Sequence, residues 1–162
     1  MKTPAATKKS SNVPLPKRSD SAEQLSDEAL QDHLLQGVSR TFALTIPLLP
    51  EPLRGAISNA YLLCRTIDTI EDEPELDFAV KREQCRRYVE VVEGKRDPKE
   101  FAYELLPLIA SGATEKEREL VAFSDRIVGV TYRLPDKARK AIERCIRIMS
   151  EGMIHFQKEQ SE

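Results

Sequence analysis

Three features of this sequence predict an all-α fold. Apolar residues recur at spacings of three and four in one stretch after another. Helix-start chemistry precedes several of those stretches. Strand-like alternation bounded by turn residues is absent, as is any internal repeat.

Ser26 before Asp27 and Glu28 is a helix start with acids at the positive end of the dipole, and Leu30, Leu34 and Val38 share one face of the helix it opens. Thr41 to Ile46 is a short apolar segment interrupted by "PLLPEP". Pro52 suits the first turn of a long helix running to about Asp72, where "EDEPELD" forms an acidic loop. A further helix spans roughly Phe78 to Val92 and is closed by Gly94. Another covers about Pro98 to Ile109, with Pro107 kinking or ending it. Thr114 with Glu117 makes a capping box that opens a helix with Leu120, Phe123, Ile127 and Val130 on its core side. After Pro135 comes the clearest amphipathic stretch, with Ala138, Ala141, Ile142, Cys145, Ile148, Met149, Gly152 and Phe156 at helical spacing.

Composition narrows the function classes. Hydrophobic residues make up 40% and charged residues 32%, the balance of a globular chain. The formal net charge of −2 speaks against a nucleic-acid partner. No run approaches the roughly 20 apolar residues of a membrane span. Residues 1–25 open with a Pro-, Ser- and Lys-rich stretch without an apolar secretory core, and they are expected to be a disordered basic tail. Residues 26–162 are expected to form one all-α domain. Cys64, Cys85 and Cys145 sit in apolar helical patterns without a Cys-x-x-Cys pair, so buried, reduced thiols are expected. His33 and His155 are isolated on helices and are expected to be structural.

The long helix carries an unusual stripe. At ~100° per residue, Arg54, Ser58, Tyr61, Arg65, Asp68 and Asp72 fall within an arc of roughly 60–80°. Ala56, Ile57, Ala60, Leu63, Cys64, Ile67 and Ile70 fill much of the rest. Asp68 and Asp72 repel at i,i+4 near a helix C-terminus, where the dipole also disfavours acids. Either the stripe faces water, or the acids meet a divalent cation that reverses the sign of those terms. Arg40 is of the type that grips phosphate, although a surface Arg at a helix end is also common.

The stretch "VSRTFALTIPLLPEPLRGAISNAYLLCRTIDTIED" resembles the squalene and phytoene synthase family. It shows that family's Ser-Arg-x-Phe-Ala, then Leu-Pro, then Tyr-x-x-x-Arg-x-x-Asp-x-x-Glu-Asp. "IMSEGMIHF" resembles its Met-x-x-Gly-Met-x-x-Phe, and the likeness runs from about residue 30 to 157. "YLLC" and "LPEPLRGAI" look more like bacterial squalene synthases than phytoene synthases.

The resemblance implies the all-α isoprenoid (terpenoid) synthase fold, amino-terminal half only. The family's second aspartate-rich helix and the residues of its nicotinamide site would lie beyond residue 162. It implies a Mg²⁺-dependent farnesyl-diphosphate farnesyltransferase that couples two farnesyl diphosphates through a cyclopropyl intermediate. NADPH would be the reductant if squalene is the product, and this segment alone would be inactive. Asp68 and Asp72 would hold Mg²⁺ with Glu71 as a helper. Arg40 and Arg65 would grip diphosphate, Ser39 would add a hydrogen bond, and Phe42 and Tyr61 would line the site of the allylic cation. Phytoene, dehydrosqualene or hydroxysqualene synthesis is the alternative chemistry, and a non-catalytic helical interaction protein of the same fold is the alternative class. A cytoplasmic location is expected, with peripheral membrane contact for a lipid product. The apolar faces around Leu63, Ile67, Ile148 and Met149 are expected to lack some of their covering helices.

Overall fold

The computed structural model describes residues 18–161, in which nine α-helices and one 3₁₀ turn, and no strand, are found. In chain order they are α1 (Asp20–Glu23), α2 (Asp27–Val38), α3 (Arg40–Thr45), the 3₁₀ turn Ile46–Leu48, α4 (Leu53–Glu71), α5 (Phe78–Val92), α6 (Pro98–Leu105), α7 (Glu115–Ala122), α8 (Ser124–Arg133) and α9 (Asp136–Ser161).

Local chemistry explains most of the boundaries. Ser26, Asp77, Asp97 and Thr114 each accept a backbone N–H of the first turn of their helix. The capping box is complete, with Thr114 and Glu117 bonded reciprocally. Gly94 takes a left-handed conformation (φ 77°). There its N–H reaches Val91 O at 3.0 Å and Lys95 N reaches Glu90 O at 2.8 Å, which satisfies carbonyls at the end of α5. α6 ends at Leu105, two residues before Pro107 and about one turn short of Ile109.

α4 is the hub. It packs against α2, α5, α7, α8 and α9, and Leu62, Leu63, Ile67 and Ile70 are fully buried. The sequence leaves Leu63 and Ile67 short of cover, yet these neighbours enclose them. Ile148 is exposed, as the sequence leads one to expect, and other exposed apolar side chains among the described residues include Phe42, Leu44 and Leu48, Leu53 and Ile57 at the start of α4, and Phe156 on α9. A buried polar network crosses the hub. Asn59 donates to Gln31 Oε1 of α2 at 3.0 Å and to Ile127 O at 2.8 Å, and accepts from Thr131 Oγ1 of α8 at 2.7 Å. Both polar ends of the Asn59 side chain are thereby used inside the core, as burial demands.

Three expectations need correction. The sequence places a disordered tail at residues 1–25, but the packed structure already includes Arg18. Its Nε donates to Ala122 O at 2.9 Å, its Cζ lies 4.8 Å from the centre of the Phe123 ring, and it pairs with Asp125. Ala22 of α1 is buried, and Arg126 binds Leu25 O and Asp27 across the same seam. Those partners lie about a hundred residues away, beyond the reach of local reasoning; residues 1–17 lie outside the described residues. The helix opened by Thr114 breaks at Phe123 into α7 and α8, which puts Val128 rather than Val130 in the core. On α9 the buried positions are Ile142, Ile146 and Ser150, one edge of the apolar stripe, while Ala141, Cys145 and Phe156 on the other edge are exposed.

After α4 the chain is anchored by Glu73, which is buried. It accepts from Ser111 Oγ at 2.6 Å, Gly112 N at 2.9 Å and Glu75 N at 3.3 Å. A Cβ on Gly112 would meet Pro74 Cδ at 2.5 Å, so the residue must be small for this approach. Burial pushes the Glu73 carboxyl up, but those donors outweigh it and hold it below the usual carboxylate range. A carboxylate depressed in the folded state adds stability above its unfolded pKa and loses it as pH falls through the folded one. Glu73→Gln is therefore expected to cost roughly 1–3 kcal/mol at pH 7, with the gap from the parent closing in acid. Urea denaturation at pH 7 and pH 3 checks this; equal stabilities at pH 7 would remove the anchor.

Candidate active site

The C-terminal half of α4 places Tyr61, Arg65, Asp68 and Glu71 on successive turns, with Asp72 as its C-cap. The stripe is not one site along its whole length. Arg54 turns to Asp32 of α2 at 3.0 Å, and Ser58 is buried. From Tyr61 onward the stripe lies at the boundary between core and solvent: Tyr61, Arg65, Asp68 and Glu71 are half-buried and Asp72 is exposed.

Arg65 is the best-held of these residues. Its Nη2 donates to Glu117 Oε1 at 2.5 Å, and its Nη1 lies 3.9 Å from Asp68 Oδ2. Glu117 is itself buried. Its second oxygen accepts from Thr114 N at 2.8 Å and Thr114 Oγ1 at 3.0 Å. One carboxylate therefore starts α7 and aims an arginine of α4. Burial raises the Glu117 carboxyl, and the Thr114 N–H, the Thr114 hydroxyl and Arg65 together bring it below its ordinary value. In the sequence Glu117 reads as a capping residue alone, because nothing local announces a partner fifty positions away.

The acids carry unfavourable charge. The Asp68 carboxyl is raised, first by burial; Arg65 opposes this, while Asp72, Glu71 and Glu117 add to it. The Asp72 carboxyl is raised by burial and then by Glu71, again against Arg65. Glu71 accepts from Gln157 of α9 at 2.9 Å, and its backbone carbonyl holds Lys81. Among the described residues no three His, Cys, Asp or Glu side chains form a metal-binding group. Asp68 and Asp72 could still hold a hard divalent cation, since they are oxygen donors under mutual repulsion and Mg²⁺ often takes only one or two carboxylates.

The remaining expected residues lie on α3 and its cap. Phe42 stacks on Tyr61 with ring centres 4.6 Å apart and planes tilted by 38°. The Ser39 hydroxyl caps α3, the helix that carries Phe42, by accepting Phe42 N at 3.3 Å. Arg40 is exposed on the first turn, and no contact among the described residues joins it to the acids.

Comparison with known proteins places the chain in a family. The family model described as squalene/phytoene synthase matches residues 35–161. The chain belongs to that family. Squalene synthase of Cyberlindnera jadinii is 30% identical over 76% of this chain and 26% of its own length. That of Schizosaccharomyces pombe is 29% identical over 76% of this chain and 25% of its own. That of Dictyostelium discoideum is 31% identical over 86% of this chain and 31% of its own. The chain thus spans about a quarter to a third of these relatives, less than the half that motif resemblance implies. No solved structure matches it significantly. The all-α architecture agrees with the isoprenoid synthase fold, and no described helix is long and apolar enough to cross a membrane.

Two substitutions test the charge balance. Asp72→Asn is expected to raise stability slightly, by up to ~0.5 kcal/mol, because it removes like-charge and dipole repulsion. Glu117→Gln is expected to lower stability by about 1–3 kcal/mol, since it leaves Arg65 half-buried without its carboxylate. Thermal melts followed by circular dichroism at neutral pH give both signs; an Asp72→Asn protein that melts lower would show that the repulsion is not felt.

Proposed function

We propose that this chain contributes the first diphosphate-binding face of a squalene synthase-like enzyme, which couples two farnesyl diphosphates head to head. The observation that supports this reading is the Arg65–Asp68–Asp72 face, mounted on the hub helix at the core boundary, next to the Phe42–Tyr61 pair.

In this reading the C1–O bond of the first substrate breaks, leaving diphosphate and an allylic cation. The double bond of the second substrate attacks, and loss of a proton gives a cyclopropyl diphosphate. A second ionisation and rearrangement follow; where squalene is the product, NADPH would supply the hydride that quenches the last cation, and none of the described residues is assigned to it. Mg²⁺ held by Asp68 and Asp72, with Glu71 nearby, would supply neutralising charge to the leaving diphosphate. Arg65 adds a fixed guanidinium whose orientation is set in advance by Glu117, so no reorganisation is needed as charge grows on the leaving oxygens. Arg40 is the second arginine for diphosphate, on the first turn of α3. The faces of Tyr61 and Phe42 stabilise the cation by up to ~2 kcal/mol where water is excluded.

The relatives above carry the name squalene synthase, which favours squalene over phytoene, dehydrosqualene or hydroxysqualene. Retention of both arginines and both aspartates speaks against a non-catalytic interaction protein.

In a catalytically complete protein bearing this segment, Asp68→Asn and Asp72→Asn are each expected to lower turnover by ~10²–10³ at saturating Mg²⁺, the effect of losing one charge-stabilising contact. Arg65→Lys is expected to be damaging too, because an ammonium cannot offer the planar two-donor fork. Steady-state kinetics on farnesyl diphosphate, with product analysis in the presence and absence of NADPH, decide both; unchanged kcat/KM in any of the three removes that residue from the site. Residues 1–162 alone are expected to release no squalene from farnesyl diphosphate, Mg²⁺ and NADPH, since the described acids approach the diphosphate from one helix only. Squalene formation by this chain would overturn that expectation.

A further inference from the structure

Arg65 lies between two carboxylates and does not divide itself evenly between them. Asp68 is three residues further along the same helix face, a spacing at which an arginine and an acid ordinarily close into an ion pair. Here Arg65 Nη1 stays 3.9 Å from Asp68 Oδ2, longer than a hydrogen bond, while Nη2 reaches Glu117 Oε1 at 2.5 Å. The Arg65 Nε is buried without a partner among the described residues, so the bond to Glu117 is what fixes the guanidinium. Glu117 prevails over Asp68 for two reasons. Its carboxylate is held in place, since Thr114 N and Thr114 Oγ1 donate to Oε2 at 2.8 and 3.0 Å and leave Oε1 for the arginine. It is also the less hydrated of the two: 11% of its side chain is exposed against 32% for Asp68, and a pair removed from water is attracted more strongly. α7, which carries Glu117, packs directly on α4, so the fold itself draws the arginine head toward Glu117.

We propose that Glu117 is a positioning residue that holds Arg65 off Asp68 and so keeps the Asp68 carboxylate open for a divalent cation. A guanidinium closed onto Asp68 and a cation on the same oxygens compete, because both use the same lone pairs and neutralise the same charge. Drawing Arg65 to Glu117 keeps two tasks apart within one turn of α4: the carboxylate of Asp68 takes the cation, and the guanidinium of Arg65 faces the diphosphate. Glu117 itself touches neither. The inference rests on Asp68 being a cation ligand, as in the proposed function.

The test measures binding of Mn²⁺, which takes the same oxygen ligands as Mg²⁺, to the full chain by electron paramagnetic resonance of the free ion. The site is defined as the binding that Asp68→Asn removes. Glu117→Gln keeps a side chain that can complete the capping box and gives up the charge that holds Arg65. Arg65 then closes on Asp68, and Mn²⁺ is expected to bind this site roughly two- to fivefold more weakly, the effect of one partly exposed ion pair. Loss of a nearby negative charge would also weaken binding, so the substitution is repeated in an Arg65→Gln background. There no guanidinium can close, and the weakening is expected to be clearly smaller. Glu117→Asp keeps the charge but is one carbon shorter, so it too is expected to bind Mn²⁺ more weakly than the parent, and it decides the matter should Glu117→Gln not fold. Circular dichroism checks that each variant compared is helical. Unchanged Mn²⁺ affinity in either Glu117 variant, or equal weakening with and without Arg65, would overturn the proposal and leave Asp68 as a cation ligand. A parent chain without Asp68-dependent Mn²⁺ binding would overturn the cation site itself, and this inference with it.

Discussion

Burial of α4 against five other helices is the constraint that governs the rest of the structure. A helix enclosed on so many sides has to be apolar around most of its circumference, and Leu62, Leu63, Ile67 and Ile70 meet that demand. Its polar residues must then be satisfied from within. Asn59 is held by α2 and α8, and the Thr66 and Thr69 hydroxyls donate to carbonyls one turn back along α4. The hub is rigid because its apolar and polar groups are both committed.

That rigidity matters at the end of the helix. The same backbone that is immobilised by the core carries Arg65, Asp68 and Asp72 to the surface of the bundle. Acids crowded at a helix C-terminus do not stabilise the fold, and the raised carboxyls of Asp68 and Asp72 record the cost. Local rules broken in this way mark places where function is favoured over stability. Under the proposed function the cost has a purpose, because charge placed badly for folding would be placed well for a cation and a diphosphate.

Glu117 joins the fold to this site. A capping box ordinarily concerns one helix start, yet here its carboxylate also binds the arginine beside the acids. The position of α7 and the direction of Arg65 are therefore set together. Glu71 does something similar on the far side, where Gln157 of α9 engages its side chain and Lys81 of α5 its carbonyl. The acidic end is thus framed by α5, α7 and α9, all of which also pack on α4.

The all-α class, most helix starts and the charged stripe that forms the candidate site were legible in the sequence alone. Each depends on residues within about four positions of one another: Ser26 on its first turn, Thr114 with Glu117, Gly94 after Val92, Asp68 beneath Asp72. The tertiary structure alone decided the partners. It chose Glu117 for Arg65, and Asp125 and Ala122 for Arg18, and it broke the helix at Phe123. It also selected which edge of α9 to bury, since Ile142–Ile146 and Ala141–Cys145 are both apolar enough to serve. The physical reason is one of range. Hydrophobic period and capping act along the chain, whereas which long-range pair forms depends on how whole helices come to rest against α4.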